Sequence, residues 1–493
     1  MVFFPGVKFP LNEEKTSDTP CADVLTERSG DNGTISSKVT LSIGEKSAEG
    51  EYCEESDRSA LSCVSDERRI KQAVGKAFFR AGESLLGYTP PWGVLTGVRP
   101  SKLAAEMTAD HTRDEIISVL TGEYFVNPKK AFLASDVAYR EAAVLEKAAD
   151  QSDSCSVYIS VPFCPTRCSY CSFVSYSTPK LISLIPDYVS RLCRDLERTA
   201  SVIRRKGLRV RTVYIGGGTP TILSEFLLSK LLDTVASCID VSSLEEYTLE
   251  SGRPDTVTYE KLKIARDHGV DRVSINPQTL SDELLSEIGR YHTTDQFYSA
   301  FETARKIGFK SINSDVIAGL PGDNFYNFSK TFDKLTELAP ENLTVHTFCV
   351  KRSSSLNGQE EKVFSRDGGD TGKCLDYSQL RAYAESYYPY YMYRQKNTVG
   401  NYENVGWTKP GHEGYYNIYM MEEIHSIYAV GAGAVTKLVD QSRRGEAAGF
   451  GHNSDRIGEP PIKRLFMPKY PYEYLDCDEG SEQYERFFSQ LMN

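Results

Sequence analysis

The sequence predicts an α/β fold: six strand–helix units on a parallel sheet, preceded by a helical region and followed by an α+β extension. Two observations predict it. Between about residue 150 and residue 350, short β-branched apolar runs alternate with amphipathic stretches of helical period, at the spacing of βα units. Several of those runs also end in glycine or a polar residue, and a parallel sheet gathers such residues at the carboxyl ends of its strands. With 493 residues the chain exceeds one ordinary domain, and 40% apolar residues suffice for a large core.

Composition excludes several function classes. A net charge of −11 argues against a nucleic-acid binder, which would show a basic face, so an anionic ligand needs a local basic pocket. No run reaches the roughly 18 apolar residues of a membrane span. The opening MVFFPGVKFP carries no basic region ahead of an apolar stretch, so no secretion signal is expected and a cytoplasmic location is. Twelve cysteines, three of them in one loop, suit a reducing compartment and a metal site better than a disulfide framework.

In chain order, residues 1–65 read as a polar, largely disordered segment, rich in Ser, Glu, Asp, Gly and Thr. Residues 66–150 read as a helical region. Ile70, Val74, Ala77, Phe78 and Leu85 or Leu86 recur at helical spacing, TPPWGVLTGVRPSKL breaks the helix, and helical patterns return at Thr112–Leu120 and Lys129–Ala149. The core, residues 151–352, opens with VYISVPFCPTRCSYCSF, Val157 to Phe173. Its apolar run breaks at Pro162, and Cys164, Cys168 and Cys171 follow at C-x3-C-x2-C spacing. Three thiolates on one loop suit an iron–sulfur cubane with one iron left open, since a cubane normally takes four. Zinc with a distant fourth ligand, or three thiols without metal, are the other readings; the nearest downstream histidine is His268.

The loop resembles the signature of radical S-adenosylmethionine (SAM) enzymes. Tyr158, Pro162, Phe163 and Cys164 match the Y-x-x-x-P-F-C of the oxygen-independent coproporphyrinogen III oxidases, also called coproporphyrinogen dehydrogenases. The resemblance is good from about residue 150 to 350 and weaker to about 440; PWGVLTGVRP, with Trp92 and Arg99, resembles a segment of a longer-chain subgroup. It implies a [4Fe–4S] cluster on Cys164, Cys168 and Cys171 with SAM on the open iron, and a partial (β/α)6 barrel instead of a closed eight-strand form.

The remaining units follow in order. Strands are predicted at Ser156–Phe163, Thr212–Gly216, Glu246–Glu250, Arg272–Asn276, Lys310–Ala318 and Leu343–Cys349. Helices are predicted at Asp187–Arg205, Ser224–Ile239, Thr256–Asp267, Asp295–Ile307 and Asn327–Ala339. GGGTPT, Gly216 to Thr221, is neither a P-loop nor a G-x-G-x-x-G, but bare backbone lets a ligand lie close. The resemblance puts the methionine end of SAM along Gly216, Gly217, Gly218 and Thr219, with Tyr158 in the same site. Glu250, Gln278 and Asp315 stand at or just after apolar strand runs and match positions that hold the ribose and amino-acid parts of SAM. Arg290 matches an arginine that pairs with its carboxylate. ESGRPD departs from the E-x-D/N-P usual after the third strand, which puts the contacts of Arg253 in doubt.

Residues 353–493 read as an α+β region that covers the substrate. Lys351, Arg352, Arg394 and Lys396 are the cations expected to meet substrate carboxylates, with the rings of YYPYYMYRQKNTVGNYENVGW stacking on a flat tetrapyrrole or forming the core of a lid.

The implied activity is SAM-radical oxidative decarboxylation of coproporphyrinogen III propionates to vinyl groups, giving protoporphyrinogen IX in oxygen-independent heme biosynthesis. A 5′-deoxyadenosyl radical takes hydrogen from the propionate β-carbon, and loss of CO2 and one electron follows. The resemblance implies a reduced flavodoxin- or ferredoxin-type donor, and no protein side chain is assigned as catalytic. Phe173 stands where the dehydrogenases commonly carry a further cysteine, and relatives lacking it include heme chaperones. A non-catalytic heme carrier, with His425 or His412 as iron ligand, is therefore the alternative, and a radical SAM enzyme acting on heme itself is a third.

Overall fold

The computed structural model describes residue 3 and residues 20–29, 34–53, 66–95, 99–147, 153–171, 175–349, 368–395, 398–440, 462–478 and 480–492. Within residues 1–65, expected to be largely disordered, the described residues 21–29 and 34–53 are folded instead. Strands β1 (Cys21–Ser29), β2 (Thr34–Ile43) and β3 (Lys46–Cys53) form an antiparallel sheet. It packs on the helix Asp66–Leu86. The composition is polar, but β2 alternates, and Ile35, Ser37, Val39 and Leu41 turn inward. Gly50 lets β3 lie on the helix, because a Cβ there would strike the backbone of Ala77 and Ala81.

The second sheet holds the six predicted strands. They are β4 (Ser154–Val161), β5 (Arg209–Gly217), β6 (Glu246–Glu250), β7 (Arg272–Ser274), β8 (Ser311–Ala318) and β9 (Asn342–Thr347). Each is parallel to the next. The connecting helices are Ile185–Arg205, Glu225–Cys238, Tyr259–Asp267, Thr294–Ile307 and Phe325–Leu338, with a short unpredicted helix at Asp282–Glu287. Ser224, Thr258, Thr293 and Asn324 cap four of them by accepting a backbone N–H, which sharpens the ends that the pattern placed only approximately.

The two faces of this sheet differ. Val157, Ile159, Val213, Ile215, Leu249, Val273, Ile275, Val316, Leu343 and Val345 are fully buried against the helices in one core. The intervening residues, among them Tyr158, Tyr214, Glu250, Ser274, Asn276, Asp315 and His346, point to the other face, since strand side chains alternate. That second face is polar and belongs to the site.

The described residues from 368 on form the expected α+β extension and join the same sheet. β10 (Tyr388–Arg394), β11 (Glu403–Thr408), β12 (Ser426–Val430), β13 (Val435–Val439) and β14 (Ile462–Phe466) complete an eleven-stranded sheet, ordered β10-β11-β9-β8-β7-β6-β5-β4-β12-β13-β14. β12 adds a seventh parallel strand beside β4, and antiparallel strands finish both edges, so no barrel closes. The aromatic run from Tyr387 to Trp407 supplies β10 and most of β11, with Tyr387, Tyr390, Tyr391, Met392 and Trp407 buried. The helix Tyr415–Met421 plugs the amino-terminal ends of the strands. Its Tyr416 ring stacks on Tyr214 at 4.6 Å, and its Tyr416 N–H donates to Glu246, the first residue of β6. Among the described residues no helix is long and apolar enough to cross a membrane.

Buried charges tie the outer parts to this sheet. Glu403 on β11 accepts from Trp92 Nε1 at 2.9 Å and from Lys130 Nζ at 2.7 Å, with all three residues buried. Arg99 donates to the Met421 carbonyl and to Glu422. Asp195 accepts from Arg191, Tyr474 and Tyr484, which binds the helices Pro471–Asp476 and Glu482–Met492 to the outer helix layer. Removing one partner of a buried pair strands the other charge, at a cost of about 3–5 kcal/mol. Glu403→Ala is therefore expected to lower stability by about that amount, and Glu403→Gln by less, read as a fall in the denaturant midpoint at constant m-value.

Candidate functional site

The cysteine loop leaves β4 at Pro162 and is tied down at both ends. Cys164 N–H donates to the Tyr176 carbonyl at 3.1 Å, and Tyr176 N–H donates back to Pro162 at 2.9 Å. Midway, Ser169 N–H donates to the Ile288 carbonyl at 2.9 Å and Thr166 Oγ1 to the Gly289 carbonyl at 3.0 Å, so the loop is pinned to the segment past β7. Cys164 and Cys168 are buried and Cys171 is half-buried. Cys164 Sγ lies 3.3 Å from Thr219 Oγ1, and Cys171 Sγ lies 3.6 Å from Ser175 Oγ. Burial, reinforced by the neighbouring Cys171 and Cys168, pushes the Cys164 thiol up to about 11. Phe173 lies outside the described residues.

GGGT runs directly against this loop. Gly218 N–H donates to the Val161 carbonyl at 2.9 Å and Thr219 N–H to the Phe163 carbonyl at 2.8 Å. A Cβ on Gly218 would meet the Phe163 carbonyl oxygen at 2.5 Å, and one on Gly216 would meet Glu250 Oε2 at 2.9 Å. These two glycines therefore admit the protein's own neighbours, whereas the sequence alone suggests that they clear space for a ligand.

The three polar strand-end residues lie on one side of the sheet, where Asp315 is close enough to Glu250 to add its charge and bonds to Gln278 through the backbone. Glu250 accepts from Tyr214 OH at 2.5 Å, and the rings of Tyr214 and Tyr158 stack 6.1 Å apart. Burial, with Asp315 adding its charge, raises the Glu250 carboxyl to about 7, against bonds from Tyr214 and the Gly217 amide. Burial would also raise Asp315, but bonds and charge from His346, with bonds from Asn313 and Thr344, win and hold it below its ordinary value. Its carboxylate accepts from Asn276 Nδ2 at 2.9 Å and Asn313 Nδ2 at 2.7 Å, with His346 Nε2 at 3.6 Å. Gln278 sits at φ +67°, held by bonds to Asp315 and Ile317 of β8, and its buried Oε1 has no hydrogen-bond partner.

Arg290 is the sharpest feature. It is 5% exposed and donates to the Gly252 carbonyl, to the Asn276 carbonyl at 2.6 Å and to Tyr170 OH at 3.5 Å. It makes no ion pair among the described residues, and neighbouring Asp255 has both oxygens taken by Arg253 at 3.0 Å. Buried polar side-chain atoms without partners concentrate on the same loops: Ser251 Oγ, Gln278 Oε1, Thr279 Oγ1 and both ring nitrogens of His292. Burial, then the charges of Arg290 and Arg253, push the His292 imidazole down to about 2. Orphaned polar atoms around an unpaired buried cation fit a bound anionic, polar ligand.

Cys171 and Cys168 lie close enough to Cys164 for their charges to act on its thiol. Among the described residues no three His, Cys, Asp or Glu side chains gather on one point. A cubane carries its irons at separate corners, so its three thiolates need not meet.

The expected substrate cations fare differently. Arg394 is buried and donates to the Leu95 carbonyl at 2.8 Å, which corrects its assignment to an open mouth. Lys351, Arg352 and Lys396 lie outside the described residues. His425 is fully buried with Nδ1 3.0 Å from Ser156 Oγ, which closes it to a heme in this structure, whereas His412 is half-buried with Nδ1 2.9 Å from Ser311 Oγ at the amino-terminal strand ends. Sequence reasoning passed over Tyr214, Asn276, His292 and His346. Stepping back two residues from Gly216 and Gln278 finds the first two, because strand side chains repeat with period two; nothing local marks His292.

The radical SAM superfamily model matches residues 158–335. An oxygen-independent coproporphyrinogen-III oxidase-like protein, HemZ, from Bacillus subtilis is 34% identical over 376 residues, covering 76% of this chain and 75% of that protein. The heme chaperone HemW of the same organism is 32% identical over 284 residues, covering 57% of this chain and 70% of the relative. Among solved structures, coproporphyrinogen III oxidase (HemN) from Escherichia coli is similar with a TM-score of 0.44 and 19% identity, covering 60% of this chain and 67% of that one.

Glu250 makes the site sensitive to pH. Its folded value near 7 lies above the ordinary glutamate value, so its contribution to stability is full at low pH and is lost as pH rises through about 7. Glu250→Gln, unable to ionise, is expected to gain stability relative to wild type between about pH 5 and about pH 8, measured by denaturant unfolding of the ligand-free protein.

Proposed function

We propose that this chain, which belongs to the oxygen-independent coproporphyrinogen III oxidase-like family of the radical SAM superfamily, oxidatively decarboxylates the propionate side chains of coproporphyrinogen III. The observation that supports a SAM site is Arg290, a buried guanidinium with no ion pair among the described residues, beside the Cys168 thiol. A SAM carboxylate would neutralise it, and the partnerless Gln278, Thr279 and Ser251 would meet the polar groups of the same ligand. Cys164, Cys168 and Cys171 would hold a [4Fe–4S] cluster. Together the bound cluster and SAM supply hydrogen-atom abstraction from an unactivated carbon.

The chain's own groups do the rest. Glu250 and Asp315 would accept bonds from ribose hydroxyls, with the Gly216–Thr219 backbone and Tyr158 alongside. His346, with Asn313 and Thr344, keeps Asp315 ionised for that task. Helix packing on one sheet face and the plug at the amino-terminal strand ends leave the carboxyl ends as the approach for a tetrapyrrole. Lys351, Arg352 and Lys396 are the cations proposed to meet its carboxylates. A reduced flavodoxin- or ferredoxin-type protein would deliver the electron, in the cytoplasm.

Similarity to HemW favours one second reading, a heme carrier without turnover. Anaerobic incubation with SAM and coproporphyrinogen III decides between them. The enzyme is expected to release CO2, 5′-deoxyadenosine and a vinyl product by mass spectrometry; tight heme binding without a vinyl product establishes the carrier. Arg290→Ala is expected to lose about 1.5–3 kcal/mol of SAM affinity by calorimetry while retaining its iron.

A further inference from the structure

Cys168 has two guanidinium groups beside it. Arg290 is close enough to feel its charge, and Arg253 Nη1 lies 3.9 Å from its sulfur. Arg253 is 3% exposed, and every donor edge of its fork has an assignment. Nε and Nη2 each donate to one oxygen of Asp255 at 3.0 Å, while Nη1 donates to Thr166 Oγ1 at 2.9 Å and faces Cys168. The backbone supports this aim. Pro254 keeps Arg253 extended, at φ −115° and ψ 103°, and opens the 3-10 turn Pro254–Thr256 that carries Asp255. Thr166 is itself anchored on Gly289. The ion pair therefore presents a fixed dipole, its carboxylate away from the thiols and its positive end toward one sulfur. A lysine, with a single ammonium on a flexible stem, cannot hold Asp255 by two bonds and still reach Thr166 and Cys168.

A cation and an N–H donor beside a thiolate ligand stabilise the more negative oxidation state of an iron–sulfur cluster, which raises its reduction potential. We propose that Arg253 is a positioning residue that sets the potential of the cluster on Cys164, Cys168 and Cys171, through its Nη1 on the Cys168 sulfur. The couple is one-electron: the oxidised cluster takes one electron from an external reductant, and no bond is made or broken in the protein. This rests on the cluster reading proposed above.

The test is a potentiometric titration of the anaerobically reconstituted full chain, followed by electron paramagnetic resonance, after iron and sulfide have been counted. At the wild-type midpoint, Arg253→Met is expected to lower the ratio of reduced to oxidised cluster about tenfold, a shift of about 59 mV to more negative potential for one electron. Arg253→Lys is expected to shift the same way by less. An unchanged midpoint in a cluster-loaded Met variant overturns the proposal. Loss of the cluster from both variants also overturns it, because the arginine is then loop scaffold alone. A wild-type chain that holds no iron is seen before any potential is read, and that result removes the cluster reading itself.

Discussion

The end of β5 lies on the first turn of the cysteine loop with no room for a side chain between them. Gly218 and Thr219 donate to the carbonyls of Val161 and Phe163, and the Phe163 backbone fills the space where a Cβ on Gly218 would stand. That contact sets the height of the loop above the sheet and brings Thr219 to Cys164. The loop's far side is set by Ile288 and Gly289, which the short helix Asp282–Glu287 delivers. Two elements distant in sequence thus hold the cysteine loop, mostly by backbone bonds, which depend little on side-chain identity. A larger residue at 218 would push on the whole arrangement.

Electrostatics at this point run against the rest of the molecule. The chain carries a net charge of −11, yet the loops after β6 and β7 bury Arg253 and Arg290 together with the neutral His292. Asp255 balances one guanidinium, and the other is balanced by no carboxylate within ion-pair distance among the described residues. Burying a charge is costly unless it is paired. An anionic ligand and the thiolates of a cluster are the natural counter-charges. Glu250 on β6 and Asp315 on β8 flank β7 and face the same side, so cations and anions divide the site between its loops and its strand ends.

The outer parts of the chain give this centre its rigidity. Trp92 and Lys130 grip Glu403 on one edge of the sheet, and Tyr474 and Tyr484 grip Asp195 beyond the other. The helix Tyr415–Met421 fills the amino-terminal ends of the strands with Tyr416, which stacks on Tyr214, the same tyrosine that donates to Glu250. A change in that plug is therefore two contacts away from the site.

The parallel core was legible in the residues because its signals are local. β-Branched runs, helical periodicity and caps act over a few positions, and each of the six strands falls within a few residues of its predicted place. The cysteine spacing, the glycines and the strand-end places of Glu250, Gln278 and Asp315 were legible too, since strand ends converge wherever a sheet is parallel, whereas Arg290 was marked by the resemblance alone. Other features needed the folded chain. The sheet at residues 21–53 was hidden because its composition is polar and only one face of β2 is buried, against a helix that the segment cannot announce. The aromatic run at 388–394 has the same residues whether it stacks on a ligand or lies inside a sheet, and pairing with β11 decided for the sheet. Arg394 is a cation in either case, and only tertiary structure turned it to Leu95. Arg253 and His292 acquire meaning from Cys168, Asp255 and Arg290, because partners in space are not neighbours in sequence.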